Sequence, residues 1–146
     1  MSRESALWHW LAKARTEQGS RLHMNRIENS AGPGMPDVEG CLEGYGQFWL
    51  ELKSSARPKR ADTAIRFKVR PKQVEWMNAR WKAGAPCYWL LQVGSAEERR
   101  LYLLPGRRGA WIKTGMTESE LRTESVLCTA DKKHTQLEFL SAATRR

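Results

Sequence analysis

At Pro71 the hydrophobic period of this chain changes, and the change limits what the chain can fold into. Before it, "IRFKVR" (Ile65–Arg70) alternates strictly. Ile65, Phe67 and Val69 fall on one side and Arg66, Lys68 and Arg70 on the other, the two-residue period of a half-buried strand. After it, "PKQVEWMNARWKAG" sets Val74, Met77 and Trp81 at i, i+3 and i+7, one stripe of a helix that Pro71 can start. Gly84 closes it. A helix inserted between strands is the sequence pattern of an α/β chain.

The remaining elements follow the same reading. "SRESALWHWLAKARTEQG" is a helix capped by Ser2, with Glu4, Leu7, Trp8 and Leu11 on one face and Gly19 as its stop. Glu4 heads the apolar stripe rather than lying opposite it. Arg21–Glu28 reads as a strand and "NSAGPGMP" as a loop forced by glycine and proline. A short strand starts at Asp37, and after the "EGYGQ" turn comes the strand "FWLELK" (Phe48–Lys53). Ser54–Thr63 is a polar basic loop. "PCYWLLQVG" and "RRLYLLPG" form a strand pair joined by "SAEE". Beyond Thr117, which can form a capping box with Glu120, the chain leans to helix without a clear pattern. The economical architecture is a mixed central sheet with helices on both sides.

Composition narrows the function classes. With 146 residues, 40% hydrophobic content and seven tryptophans, the chain suits one globular domain. The apolar run "ALWHWLA" is too short for a signal-peptide core or a membrane span. Three widely spaced cysteines, Cys41, Cys87 and Cys128, make no C-x-x-C, so they read as small apolar residues in a reducing cytoplasm. Trp8, Trp49 and Trp81 read as core. The net charge of +9 and pI near 9.9 point to a polyanionic partner. Between Lys53 and Lys72, eight cations stand against Asp62 alone, a surplus of +7.

The chemistry lies in charged residues on neighbouring strands. Glu51 and Lys53 share a strand face, while Leu50 and Leu52 point to the other. Asp37 begins the preceding strand, a natural sheet neighbour. Two carboxylates brought that close repel unless a cation lies between them, and Mg²⁺ uses hard oxygen ligands of this kind. Lys53 can then stabilise charge in a phosphoryl transition state, and the Leu52 carbonyl is a further ligand. E-x-K alone is most often a solvated strand face. It is the conjunction of Pro-Asp after a glycine loop, Glu-x-Lys on the next strand and a basic stretch directly after that marks a site.

Pro36-Asp37 followed by Glu51-Leu52-Lys53 resembles the PD-(D/E)XK nuclease signature. The longer pattern "RIENSAGPGMPDV … FWLELK … RPKQVEWMNARWKAG" resembles the virus-type replication–repair nuclease (VRR-NUC) branch, often found in phages. The resemblance covers roughly residues 4–105 and is strongest from Arg26 to Gly84. It implies a restriction-endonuclease-like core over residues 1–114, with residues 115–146 as a C-terminal extension. Asp37 and Glu51 are then metal ligands with Leu52, Lys53 is the catalytic lysine, and Gln73 matches a supporting glutamine. Glu4 matches a glutamate of the first helix, with Glu28 as its rival for the metal site. The metal implied is Mg²⁺, with Mn²⁺ as substitute, and the substrate is DNA, most of all four-way junctions in recombination and repair.

Arg57, Lys59, Arg60, Arg66, Lys68, Arg70 and Lys72 are the expected grips on DNA phosphates, without base readout. A symmetric homodimer is expected, since junction resolution takes two related cuts. A flap- or nick-directed nuclease, a small restriction enzyme and a catalytically silent DNA-binding module are the alternatives.

Overall fold

The computed structural model describes residues 2–28, 33–130 and 132–146. Helix α1 (Arg3–Gln18) starts at Ser2, whose hydroxyl accepts the Ser5 N–H at 3.1 Å, and stops at Gly19, whose φ of 58° suits glycine. Three strands follow, β1 (Leu22–Arg26), β2 (Val38–Leu42) and β3 (Gly46–Ser55). After a long connection come α2 (Pro71–Lys82), β4 (Cys87–Val93) and β5 (Arg100–Pro105). The chain ends in α3 (Gly109–Thr114), α4 (Glu118–Glu124), β6 (Leu127–Cys128) and α5 (Gln136–Ala143). No described helix is long and apolar enough to cross a membrane.

The strands form one mixed sheet in the order β1-β2-β3-β4-β5-β6. Every neighbouring pair is antiparallel except β3 and β4, which run parallel and are joined through α2. Helices cover both faces because the central strands are apolar on both: all seven residues of β4 are buried. On one face Leu7 and Leu11 of α1 meet Phe48, Leu50 and Leu52 of β3. On the other, Met77 of α2, Ile112 of α3 and Leu121 of α4 meet Trp89, Leu91 and Leu104.

The expected strand Ile65–Arg70 is not part of this sheet. Its alternation is real, since Ile65, Phe67 and Val69 are buried and Arg66, Lys68 and Arg70 exposed. Its backbone, however, makes a single bridge, Ile65 with Met116. The reason is topological: β3 is already paired on both edges, so the segment after it has no edge to extend. It lies on the α2 side of the sheet and drops three apolar side chains into that core. Part of the expected glycine–proline loop, residues 29–32, lies outside the described residues. Among the cysteines, Cys87 is buried, Cys128 intermediate and Cys41 exposed, so the apolar role fits Cys87 best.

Residues 115–146, expected as an extension, are built into the same cores. β6 pairs with β5, Leu121 enters the α2-side core, and Phe139, Leu140 and Ala143 enter the core beneath α1. The expected capping box of Thr117 with Glu120 is formed, and α5 is capped in the same way by Thr135 with Glu138. The Gln136 amide donates to the Trp10 carbonyl at 3.0 Å, fixing α5 to α1. Phe139, 1% exposed, should therefore carry a core residue's weight. Phe139→Ala is expected to lower unfolding free energy by about 3–5 kcal/mol in chemical denaturation. A loss under about 0.5 kcal/mol, as for a surface position, would mean α5 is dispensable.

Candidate active site

The ladder between β2 and β3 ends with Val38 opposite Leu50. One more step of the same register sets Asp37 opposite Glu51, and a second sets Pro36 opposite Leu52. Pro36 has no N–H, so the ladder cannot continue there. The Leu52 N–H is taken instead by the Asp37 carboxylate, with Oδ2 at 3.0 Å. A strand residue directs its N–H and C=O to the same edge. The Leu52 carbonyl therefore opens on the Asp37 side, where proline offers it no donor.

Asp37 is itself fixed from β1, its carbonyl accepting the Ile27 N–H at 2.6 Å. The preceding loop is held by Gly34. Its φ of 82° and its approach to α2, where a Cβ would stand 2.1 Å from the Lys72 carbonyl oxygen, both require glycine. Gly34 thus docks the Pro-Asp segment against the first turn of α2.

That turn carries Gln73, buried and bonded at both ends of its amide. Oε1 accepts the Arg70 N–H at 3.0 Å, which leaves Nε2 to donate to Glu51 Oε2 at 2.9 Å. The Lys53 ammonium lies 3.6 Å from the same Glu51 oxygen. The other oxygen, Oε1, is buried without a hydrogen-bond donor. Glu51 is 2% exposed and Lys53 7%, so the reading of E-x-K as a solvated face does not hold here.

Burial pushes the Glu51 carboxyl up to about 9, and repulsion from Asp37 adds to the rise. Lys53 pulls the other way without prevailing. At neutral pH Glu51 therefore holds a proton or needs a cation beside it.

The residues predicted from sequence divide accordingly. Asp37, Glu51, Leu52, Lys53 and Gln73 come together. Glu4 does not lie in a buried stripe: it is exposed on the first turn of α1, which covers the opposite face of the sheet. Its charge still adds a small upward push at Glu51. Glu28 is exposed, past the end of β1. Arg57, Lys59, Arg60, Arg66, Lys68, Arg70 and Lys72 lie along the connection into α2, all of them exposed, with Arg60 near Asp62 and Lys72 near Glu75 at 3.6 and 3.5 Å. The clamp at Gly34 and the ladder stop at Pro36 complete the site; Gly34 read from sequence only as a loop former, and Pro36 as part of the Pro-Asp pair without its part in ending the ladder.

Among the described residues no three His, Cys, Asp or Glu side chains gather as a metal cluster. The donor set is two carboxylates and one carbonyl, hard oxygens in the number Mg²⁺ takes from protein. The undonated Glu51 Oε1 and the raised Glu51 carboxyl fit such an ion. No model of a known protein family matches the chain, and no curated protein matches it.

The proton on Glu51 has a consequence for stability. Between about pH 4.5 and 9 the folded chain holds it while the unfolded chain releases it, so metal-free stability falls as pH rises through that window. In EDTA at pH 8, Glu51→Gln is expected to melt roughly 3–6 °C above wild type, the gap closing toward pH 4.5. Mg²⁺ should raise the wild-type melting temperature at pH 8 and leave the variant unmoved. A gap that does not change with pH would refute the buried-proton account.

Proposed function

We propose that this chain is a divalent-metal-dependent deoxyribonuclease with a restriction-endonuclease-like core, similar to the VRR-NUC branch of the PD-(D/E)XK nucleases, and that it cuts branched DNA in the cytoplasm. One observation carries the reading. Asp37 and Glu51 face each other where the β2–β3 ladder stops, with a buried carboxylate oxygen left without a donor and Lys53 on the same strand face. An arrangement that costs stability when empty of cations is hard to explain in a protein that only binds DNA.

Each residue then has a part. Asp37, Glu51 and the Leu52 carbonyl would hold Mg²⁺, or Mn²⁺ in its place, which would supply neutralising charge and an acidified water. Gln73 occupies Glu51 Oε2 and so leaves Oε1 as the oxygen that faces the ligand. The Lys53 ammonium, buried and fixed beside Glu51, places positive charge where phosphate oxygens gain negative charge. The exposed cations from Arg57 to Lys72 lead directly into α2, so they hold DNA next to this point through its phosphates. Two symmetric cuts in a four-way junction need two such sites, which a homodimer provides. The chain's own tail is not spare material for that interface, since α5 is used in the core.

The test is cleavage of linear duplex, flap and four-way junction DNA in Mg²⁺, Mn²⁺ or EDTA. Asp37→Ala, Glu51→Ala and Lys53→Ala should each nearly abolish cutting while junction binding persists. Gln73→Ala should lower the rate by about 10–100-fold, as for residues that orient a metal ligand. Wild-type cutting by Glu51→Ala would end the proposal.

A second measurement addresses the cations. Replacing Arg66, Lys68 and Arg70 with alanine should weaken binding evenly across sequences. The slope of log K against log salt should flatten by about 0.9 for each phosphate that the variant no longer neutralises. An unchanged slope would show that this face points away from DNA.

A further inference from the structure

β3 carries a third residue on the Glu51–Lys53 face. Trp49 precedes Glu51 by two positions, about 7 Å along the strand. On α2, Trp76 and Arg80 follow Gln73 at i+3 and i+7, the same helical stripe. Gln73 therefore sits over Glu51, and Trp76 and Arg80 sit over Trp49. The two indoles meet edge to face with centroids 5.4 Å apart, and the Arg80 guanidinium lies 4.4 Å from the Trp76 ring and 5.1 Å from the Trp49 ring. Trp49 and Trp76 pack against the edge of the α2-side core, and these two side chains and Arg80 are half-buried.

The sheet beside them is open. His23, Asn25, Cys41 and Gln47 share the Trp49 face in register across β1, β2 and β3, and all are exposed. On this half of the sheet the α2-side face has no described helix over it, so the Trp49–Trp76–Arg80 group is reached from solvent. Its polar surroundings, with Glu39 already bonded to Asn25 at 2.8 Å, do not form a second apolar core.

We propose that Trp49, Trp76 and Arg80 form a stacking platform for an unpaired nucleobase next to the scissile phosphate, which would make strand-separated DNA the preferred substrate. This rests on the nuclease reading above. Indole and guanidinium planes are the surfaces on which unpaired bases stack, and a base buried in a duplex cannot reach them. The positive charge of Arg80 suits an anionic strand. The separation of Trp49 from Glu51 lies within reach of a neighbouring nucleotide, so a strand with its phosphate at Glu51 can lay an adjacent base on the platform.

The test uses the full chain in EDTA, where binding is read without cleavage. Fluorescence anisotropy compares a labelled single-stranded oligonucleotide with a blunt duplex. Trp76→Ala and Arg80→Ala should each weaken single-strand binding by about ten-fold or more and duplex binding much less, while Trp76→Phe retains most of the affinity. Intrinsic tryptophan fluorescence should be quenched by the single strand in wild type and less in Trp76→Ala. If Trp76→Ala does not fold, Arg80→Ala and Trp76→Phe decide alone.

Single-strand affinity unchanged in a folded Trp76→Ala or Arg80→Ala would overturn the platform. So would equal losses on single strand and duplex. Parallel Mg²⁺ assays separate the two readings: a wild type that cuts DNA while the preference is unchanged removes only the platform, whereas one that cuts no DNA removes the nuclease reading.

Discussion

The site depends on one interrupted ladder. At Pro36 the strand β2 loses its donor, and the pairing with β3 stops opposite Leu52. Had the ladder continued, the Leu52 N–H and carbonyl would both be spent on backbone pairing. Instead the N–H anchors Asp37 at 3.0 Å, and the carbonyl is left facing the same side. Like charges directly opposite each other on paired strands repel. Here that repulsion is confined to the end of the ladder, where it can be answered by a bound cation rather than by a shift of register.

The rest of the fold holds that point still. α1 and α5 press on Leu50 and Leu52 from below, while α2 brings Gln73 to Glu51 from above. Gly34 ties the loop before Asp37 to the same helical turn. Asp37, Glu51 and Gln73 therefore come from three separate elements, each fixed through an independent contact. Burial of Glu51 is the physical cost of this rigidity, and it is large enough to change the carboxyl's protonation.

Much of this was legible in the chain itself. The two-residue period of β3 put Glu51 and Lys53 together and Leu52 opposite, and Ser2, Gly19, Pro71 and Thr117 marked helix ends correctly. The alternation of Ile65–Arg70 reported burial faithfully but not pairing, because alternation records which side chains face a core and says nothing about whether a sheet edge is free. Glu4 heads the apolar stripe of α1 in sequence yet is exposed, because a place on a helical face fixes a direction and not burial, and its charge is still felt at Glu51. The tail was unreadable because α4, β6 and α5 are each short, and their apolar residues become a pattern only against β5 and α1.

By itself, the sequence determined the local terms: which residues share a strand face, where helices begin and end, and where cations accumulate. Those follow from backbone geometry and side-chain chemistry within a few residues. Tertiary structure alone decided that Pro36 would stand across from Leu52, that Gln73 would reach Glu51 from another element, and that Trp49 would meet Trp76 and Arg80 at an open edge of the helix-covered face. Each of these depends on which strand pairs with which and on how far each helix extends over the sheet, quantities set by the packing of the whole chain.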